Sequence, residues 1–128
     1  MADDLAVVDA SAVAALLFGE PQGAKVAEAL QERELIAPTL LRYELGSVCL
    51  KKRKLYPDQR DALLLALSLL DRMNVREATV REREVVELAE REELTYYDAA
   101  YLWLAQEVGA DLITLDTRQS ERRPPDRA

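Results

Sequence analysis

Leu5-Ala6-Val7-Val8-Asp9-Ala10-Ser11 decides the fold. A short apolar run stops at a carboxylate and a hydroxyl, and a helix-like pattern from Ala12 to Phe18 follows at once. Such a run reads as a strand buried on both faces, of the kind found inside parallel sheets. In open α/β sheets, ligands sit beyond the carboxyl ends of the strands. Asp9 is therefore expected where chemistry takes place, provided other carboxylates arrive at the same spot.

Gly19-Glu20-Pro21 breaks the first helix, and Pro21 suits the first turn of a second that runs to about Arg33. Leu35-Ile36-Ala37, closed by Pro38, predicts a second strand. Thr39 is the expected N-cap of a helix with Leu40, Leu41, Glu44, Leu45, Val48 and Cys49 on one stripe. That helix ends near the basic run Lys51-Lys52-Arg53-Lys54, which suits the negative end of its dipole. Pro57 and Asp58 open another helix, to about Asp71, and Met73-Asn74-Val75 is a brief strand. Thr79 with Glu82 has the spacing of a capping box for a helix that reaches about Glu93. Thr95 begins a helix from Tyr96 to Val108, stopped by Gly109. Leu112-Ile113-Thr114-Leu115 is the last strand, and Asp116 and Thr117 come after it. Strands alternating with helices predict an α/β fold with a parallel sheet covered on both faces. One domain over 1–128 is expected, with 118–128 a polar, poorly ordered tail.

Composition removes several kinds of chemistry. The 128 residues are 49% hydrophobic and 32% charged, a soluble globular balance. No apolar run is long enough to span a bilayer. Met1-Ala2-Asp3-Asp4 is acidic, unlike the basic start of a signal peptide, so a cytoplasmic protein with no membrane partner is expected. Cys49 is the only cysteine and reads as a small core residue. There is no histidine, which excludes Ser-His-Asp catalysis, histidine zinc sites and paired-histidine ribonuclease chemistry. Carboxylate chemistry with a hard metal remains. The net charge of -7 argues against nonspecific nucleic-acid binding, unless a basic patch or bound cations reverse the field at one site.

The carboxylates differ in how much they tell. Asp9 and Asp116 share a context, an apolar strand ending in Asp with a hydroxyl nearby. If the two strands are parallel neighbours, these carboxylates meet at one edge; otherwise each simply caps a helix. Glu44 lies one turn after Leu40 and one turn before Val48, inside an apolar stripe. A charge there is costly unless it is paired or binds a metal, and Arg42 and Lys52 are candidate partners. Asp98 stands at the third helical position after Thr95, the spacing of a capping box, yet shares a face with Tyr101, Leu102 and Ala105. The charges from Glu82 to Glu93 read as a solvated helix face. Asp111 should lie at the opposite end of its strand from Asp116. Tyr96, Tyr97, Tyr101 and Trp103 suit packing or dimer contacts better than base stacking, and no base-reading surface is evident.

Four stretches stand in order along the chain: Val7-Val8-Asp9-Ala10-Ser11, Ala37-Pro38-Thr39-Leu40-Leu41-Arg42-Tyr43-Glu44, Leu94-Thr95-Tyr96-Tyr97-Asp98-Ala99-Ala100-Tyr101 and Leu112-Ile113-Thr114-Leu115-Asp116. Together they resemble the PIN-domain ribonucleases, in particular the VapC-like toxins of toxin–antitoxin pairs. The resemblance implies a three-layer α/β/α fold around a central, mostly parallel sheet. It carries Asp9, Glu44, Asp98 and Asp116 onto the family's acidic positions and Ser11 onto its hydroxyl near the first aspartate. Family members continue into a further helix and edge strand, for which Arg118 to Pro125 offers no clear pattern, so four or five strands are expected.

The activity implied is metal-dependent hydrolysis of RNA phosphodiester bonds. Mg²⁺ or Mn²⁺ suits all-oxygen ligands. Asp9 and Asp98 are the first choices as ligands, with Asp116 and Glu44 completing the site directly or through water. Ser11 or Thr114 would fix a ligand's orientation. Lys51, Lys52, Arg53 and Lys54 are the best candidates for contact with the RNA backbone. A cognate antitoxin and a homodimer are the partners the resemblance implies. Two rivals stand beside this: a phosphatase with an aspartyl nucleophile, whose second aspartate would fall where Ser11 stands, and a catalytically idle PIN-like interaction module.

Overall fold

The computed structural model describes residues 4–116. The tail expected over 118–128, Thr117 and any fifth strand lie outside the described residues. In chain order the elements are β1 (Leu5–Val8), α1 (Ala10–Leu17), α2 (Gly23–Leu30), β2 (Glu34–Pro38) and α3 (Leu40–Leu55). Then come α4 (Arg60–Ser68), with a 3-10 turn on either side, β3 (Arg76–Ala78), α5 (Glu82–Glu92), α6 (Tyr96–Val108) and β4 (Asp111–Ile113).

The four strands form one parallel sheet in the order β3-β2-β1-β4. The chain steps from β1 to β2 to β3 in one direction, then returns to the other side of β1 with β4. Right-handed crossovers therefore put α1 to α4 on one face and α5 and α6 on the other. Contacts agree: α3 packs on α1, α4 and β2, whereas α6 packs on β1, β2, β4 and α5. The reversal of direction falls between β1 and β4, and a ligand site belongs beyond the carboxyl ends at such a point.

Burial results from this layering. Ala6, Val7 and Val8 have no exposed surface, since β1 is covered on both faces. In α6 the residues from Ala99 to Ala105 are buried without a break. A helix between a sheet and another helix is wetted on almost no side, so its apolar pattern runs nearly all round. α2 lies close against α1, and a side chain at Gly23 would put its Cβ 2.6 Å from the Ala15 carbonyl oxygen. Gly109 ends α6 with φ +66, and the N–H groups of Gly109 and Ala110 return to the last turn. Cys49 is buried as expected, its thiol near the Leu63 carbonyl. At the amino end of the sheet Arg33 donates to the Leu5 carbonyl at 3.1 Å and to Asp111 at 3.0 Å, so Asp111 does lie opposite the candidate site.

Several expected boundaries move. The third strand is Arg76–Ala78, not Met73 to Val75. Met73 closes a 3-10 turn and Asn74 takes the left-handed conformation that turns the chain into the strand. β4 is Asp111–Ile113, so Thr114 and Leu115 lie beyond it. α2 begins at Gly23 and ends at Leu30, leaving Pro21 ahead of the helix and Arg33 after it. Thr39 is helical in conformation and its side chain makes no cap bond. Arg81 occupies the N-cap position of α5, and Thr79 plays no part.

Candidate active site

The carboxyl ends of β1 and β4 open into a cleft of about 520 Å³. Asp9, Glu44, Asp98 and Asp116 all line it, with Ser11 and Tyr101. The sheet register explains half of this meeting. β1 and β4 pair in parallel, with Val8 opposite Ile113, and the Asp9 N–H donates to the Ile113 carbonyl at 3.2 Å. Asp9 is the first residue past β1, and Asp116 is the third past β4. Glu44 comes from the second turn of α3, and Asp98 from the first turn of α6 on the other face of the sheet.

Asp9 is 4% exposed, and no other charged side chain among the described residues is so buried. Its Oδ1 accepts the Ser11 hydroxyl at 2.7 Å and the Ala12 N–H at 3.1 Å. Its Oδ2 accepts the Thr114 hydroxyl. Capping α1 and lining the cleft are thus joint roles of one side chain. A carboxylate has about four acceptor sites. With three engaged, one on Oδ2 is left for a ligand. Ser11 and Thr114 also hold the β4 exit: the Leu115 N–H donates to Ser11 Oγ at 3.0 Å, and the Asp116 N–H to Thr114 Oγ1 at 2.9 Å.

Glu44 pairs with neither Arg42 nor Lys52. Arg42 bonds Glu77 and Asp71, each at 3.0 Å, and Lys52 bonds Glu20 at 2.8 Å. Glu44 Oε1 instead accepts the Tyr101 hydroxyl at 2.6 Å. Tyr101 has a part that sequence reasoning missed, having taken it for packing. Its position three residues after Asp98 on α6 was the available signal, since that spacing turns both to one side. Glu20 and Gln22 also line the cleft, from the loop between α1 and α2. No pattern in the sequence pointed to them. The Thr95 hydroxyl accepts the Asp98 N–H at 3.0 Å, so half of that capping box forms.

The electrostatics are those of crowded acids. Burial pushes the Asp9 carboxyl above its ordinary value, and the Asp98 charge adds to this, against the hydrogen bonds from Thr114, Ser11 and Ala12. Burial likewise raises Glu44, helped by Asp98 and Asp9 and opposed by the Tyr101 hydroxyl. Tyr101 itself is held far above the usual phenol range, first by burial and then by the bond to Glu44. Such a site favours a cation.

The basic run after Glu44 divides. Lys52 lies over the Phe18 ring as well as against Glu20, and Arg53 donates to the Arg60 carbonyl at 3.2 Å. Lys51 and Lys54 are exposed.

A family model described as PIN domain matches residues 6–123. The chain belongs to the PIN domain family. It is 32% identical over 123 residues to Ribonuclease VapC3 of Pyrobaculum aerophilum, an alignment covering 92% of this chain and 94% of that protein. It is also similar to the solved crystal structure of PAE2754 from Pyrobaculum aerophilum, with a TM-score of 0.72 and 30% identity over 93% of this chain and 78% of the other.

The donor set of this PIN domain suits a hard divalent cation, because every candidate ligand is a carboxylate oxygen. No group of three or more acidic, histidine or cysteine side chains among the described residues is drawn in tightly enough to hold an ion by itself.

Proposed function

We propose that the chain is a metal-dependent endoribonuclease that hydrolyses RNA phosphodiester bonds, and that it is the toxin of a toxin–antitoxin pair. The meeting of Asp9, Glu44, Asp98 and Asp116 in one cleft carries this reading. The likeness to Ribonuclease VapC3 over nearly the whole chain supports it. Asp9 and Asp98 would hold Mg²⁺ or Mn²⁺, with Asp116 and Glu44 completing the site directly or through water. When bound, the ion would neutralise the carboxylates, promote ionisation of an attacking water and stabilise charge on the phosphate.

The remaining work falls to the chain. Ser11 and Thr114 hold Asp9 in one orientation, so no reorganisation is needed when substrate arrives. Tyr101 does the same for Glu44. An aspartyl-phosphate route through Asp9 is disfavoured, because Ser11 stands where a second aspartate would be needed. The idle-module alternative is disfavoured by four intact acidic positions.

An antitoxin and a homodimer belong to the same proposal. Exposed leucines on α3 and α4, Leu55 at 70% and Leu65 at 69%, support burial against another chain. A cytoplasmic location belongs to the same proposal; no helix among the described residues is long and apolar enough to cross a membrane. The test is cleavage of single-stranded and structured RNA by the purified protein. Cutting should require Mg²⁺ or Mn²⁺, stop with EDTA, and be lost in Asp9→Asn and Asp98→Asn. Equal cleavage by either variant would remove that residue from the site.

A further inference from the structure

Beside the acidic cleft lies a second hollow of about 400 Å³, lined by Tyr43, Ser47, Lys51 and Tyr97 among others. The two hollows share Ala10, Glu44 and Val48, so one continues into the other. Tyr43 and Tyr97 also line a third hollow, of about 370 Å³, on their far side. The two tyrosines come from different helices, and each immediately precedes a candidate carboxylate: Tyr43 before Glu44 on α3, Tyr97 before Asp98 on α6.

Both rings lie open. Tyr43 is 79% exposed and Tyr97 56%, in contrast to the buried, hydrogen-bonded Tyr101. Tyr96 stands edge-on to Tyr97, with centroids 6.2 Å apart and planes at 76°. On α3 the residues Tyr43, Ser47 and Lys51 recur at intervals of four, and all three are exposed. That spacing makes one stripe about 12 Å long beside Glu44. Lys52 and Arg53 are drawn to Glu20 and the Arg60 carbonyl, and of the two exposed lysines, Lys51 and Lys54, it is Lys51 that lines this hollow.

Aromatic face, hydroxyl and cation in a row match the parts of an unpaired nucleotide. A base stacks on the ring, and its ribose or phosphate takes the hydroxyl and the ammonium. We propose that this hollow is a subsite for a nucleotide flanking the scissile phosphate, with an unpaired base stacked on Tyr43 and Tyr97 and the adjoining phosphate held by Lys51. This rests on the ribonuclease reading above. It makes the preferred substrate a single strand or a loop, since paired bases do not offer their faces. Ala10, Leu40 and Val48 make the rest of the lining apolar, and Lys51, Ser47 and Glu44 are the polar groups that favour a nucleotide over an apolar peptide.

The test is the affinity of the full chain for a fluorescent single-stranded oligoribonucleotide and for a hairpin stem, with EDTA present so that nothing is cut. Tyr43→Ala and Tyr97→Ala should each weaken single-strand binding about 5- to 100-fold, while the phenylalanine variants bind as the parent does. Lys51→Ala should reduce the slope of log affinity against log salt by about 0.7. Irradiating the unaltered protein with 4-thiouridine RNA should cross-link peptides that contain Tyr43 or Tyr97, independently of any variant. Cross-links only elsewhere, or alanine variants that bind and cleave as the parent does, would overturn the subsite while leaving the nuclease intact. Loss of binding to an antitoxin alone, with RNA affinity unchanged, would assign the hollow to a protein partner and also overturn it. A parent protein that neither binds nor cuts RNA would refute the nuclease reading itself.

Discussion

The Thr114 hydroxyl donates to Oδ2 of Asp9, joining two side chains 105 residues apart across the carboxyl ends of β1 and β4. Thr114 Oγ1 in turn accepts the Asp116 N–H. One threonine therefore orients the first acidic position and shapes the loop that carries the last. Thr114→Val keeps the shape and removes both bonds. It should destabilise the fold by about 1–3 kcal/mol, seen in denaturant unfolding. It should also weaken Mn²⁺ binding about 10- to 100-fold by calorimetry.

Asp9→Asn separates chemistry from folding. An amide can still accept from Ser11 and Ala12, and the Thr114 hydroxyl can turn round to accept from the amide. The buried charge is removed. Cleavage should fall at least about 100-fold, while the Tm in EDTA equals or exceeds that of the parent.

The raised carboxyls of Asp9 and Glu44 fix the sign of a pH effect. As pH rises from about 4, the unfolded chain loses these protons before the folded chain does. The folded state then binds more protons, so these two groups make stability fall with rising pH until both are ionised in the fold. Above that window the deficit is constant. Unfolding curves in EDTA should show this fall, and saturating Mg²⁺ should remove it. A rise across the same window in Asp9→Asn relative to the parent is the expected control.

Tyr101→Phe tests the hydroxyl that faces Glu44. Volume is kept and one hydrogen bond is lost, at a cost of about 1–3 kcal/mol. Because that bond holds the Glu44 carboxyl down, its removal should shift the acid limb of the cleavage profile to higher pH. A purely structural role for Tyr101 would change stability and leave the profile in place.

Gly23→Ala addresses the scaffold. Its Cβ would meet the Ala15 carbonyl at 2.6 Å, so α2 must move off α1. A loss of about 1–3 kcal/mol in denaturant unfolding is expected.

Burial decides which elements the sequence shows and which it hides. β1 was plain because a strand covered on both faces is apolar throughout, and α6 because Thr95 and Gly109 mark its ends. β3 was displaced because its Arg76 and Glu77 are exposed on the last strand of the described sheet. Charge there protects an edge and erases the apolar signal. Thr39 and Thr79 had capping spacing, yet Thr39 is itself helical in conformation and the N-cap of α5 falls on Arg81, two residues past Thr79. At the cleft, Asp9 was legible from its strand end and Glu44 from its place inside an apolar stripe, while the apolar run before Asp116 outlasts its strand by two residues. Glu20, Gln22 and the bond from Tyr101 to Glu44 depend on how separate elements pack, which no local pattern encodes.

Whether these carboxylates gather a divalent cation is visible in crystals grown or soaked with Mn²⁺ and measured at the manganese absorption edge. An anomalous peak should lie in the cleft within ligand distance of Asp9 Oδ2 or Asp98, directly or through one water, and should vanish in Asp98→Asn. A cleft without a peak at saturating Mn²⁺, or a peak only elsewhere on the molecule, would mean that the four carboxylates do not form a metal site.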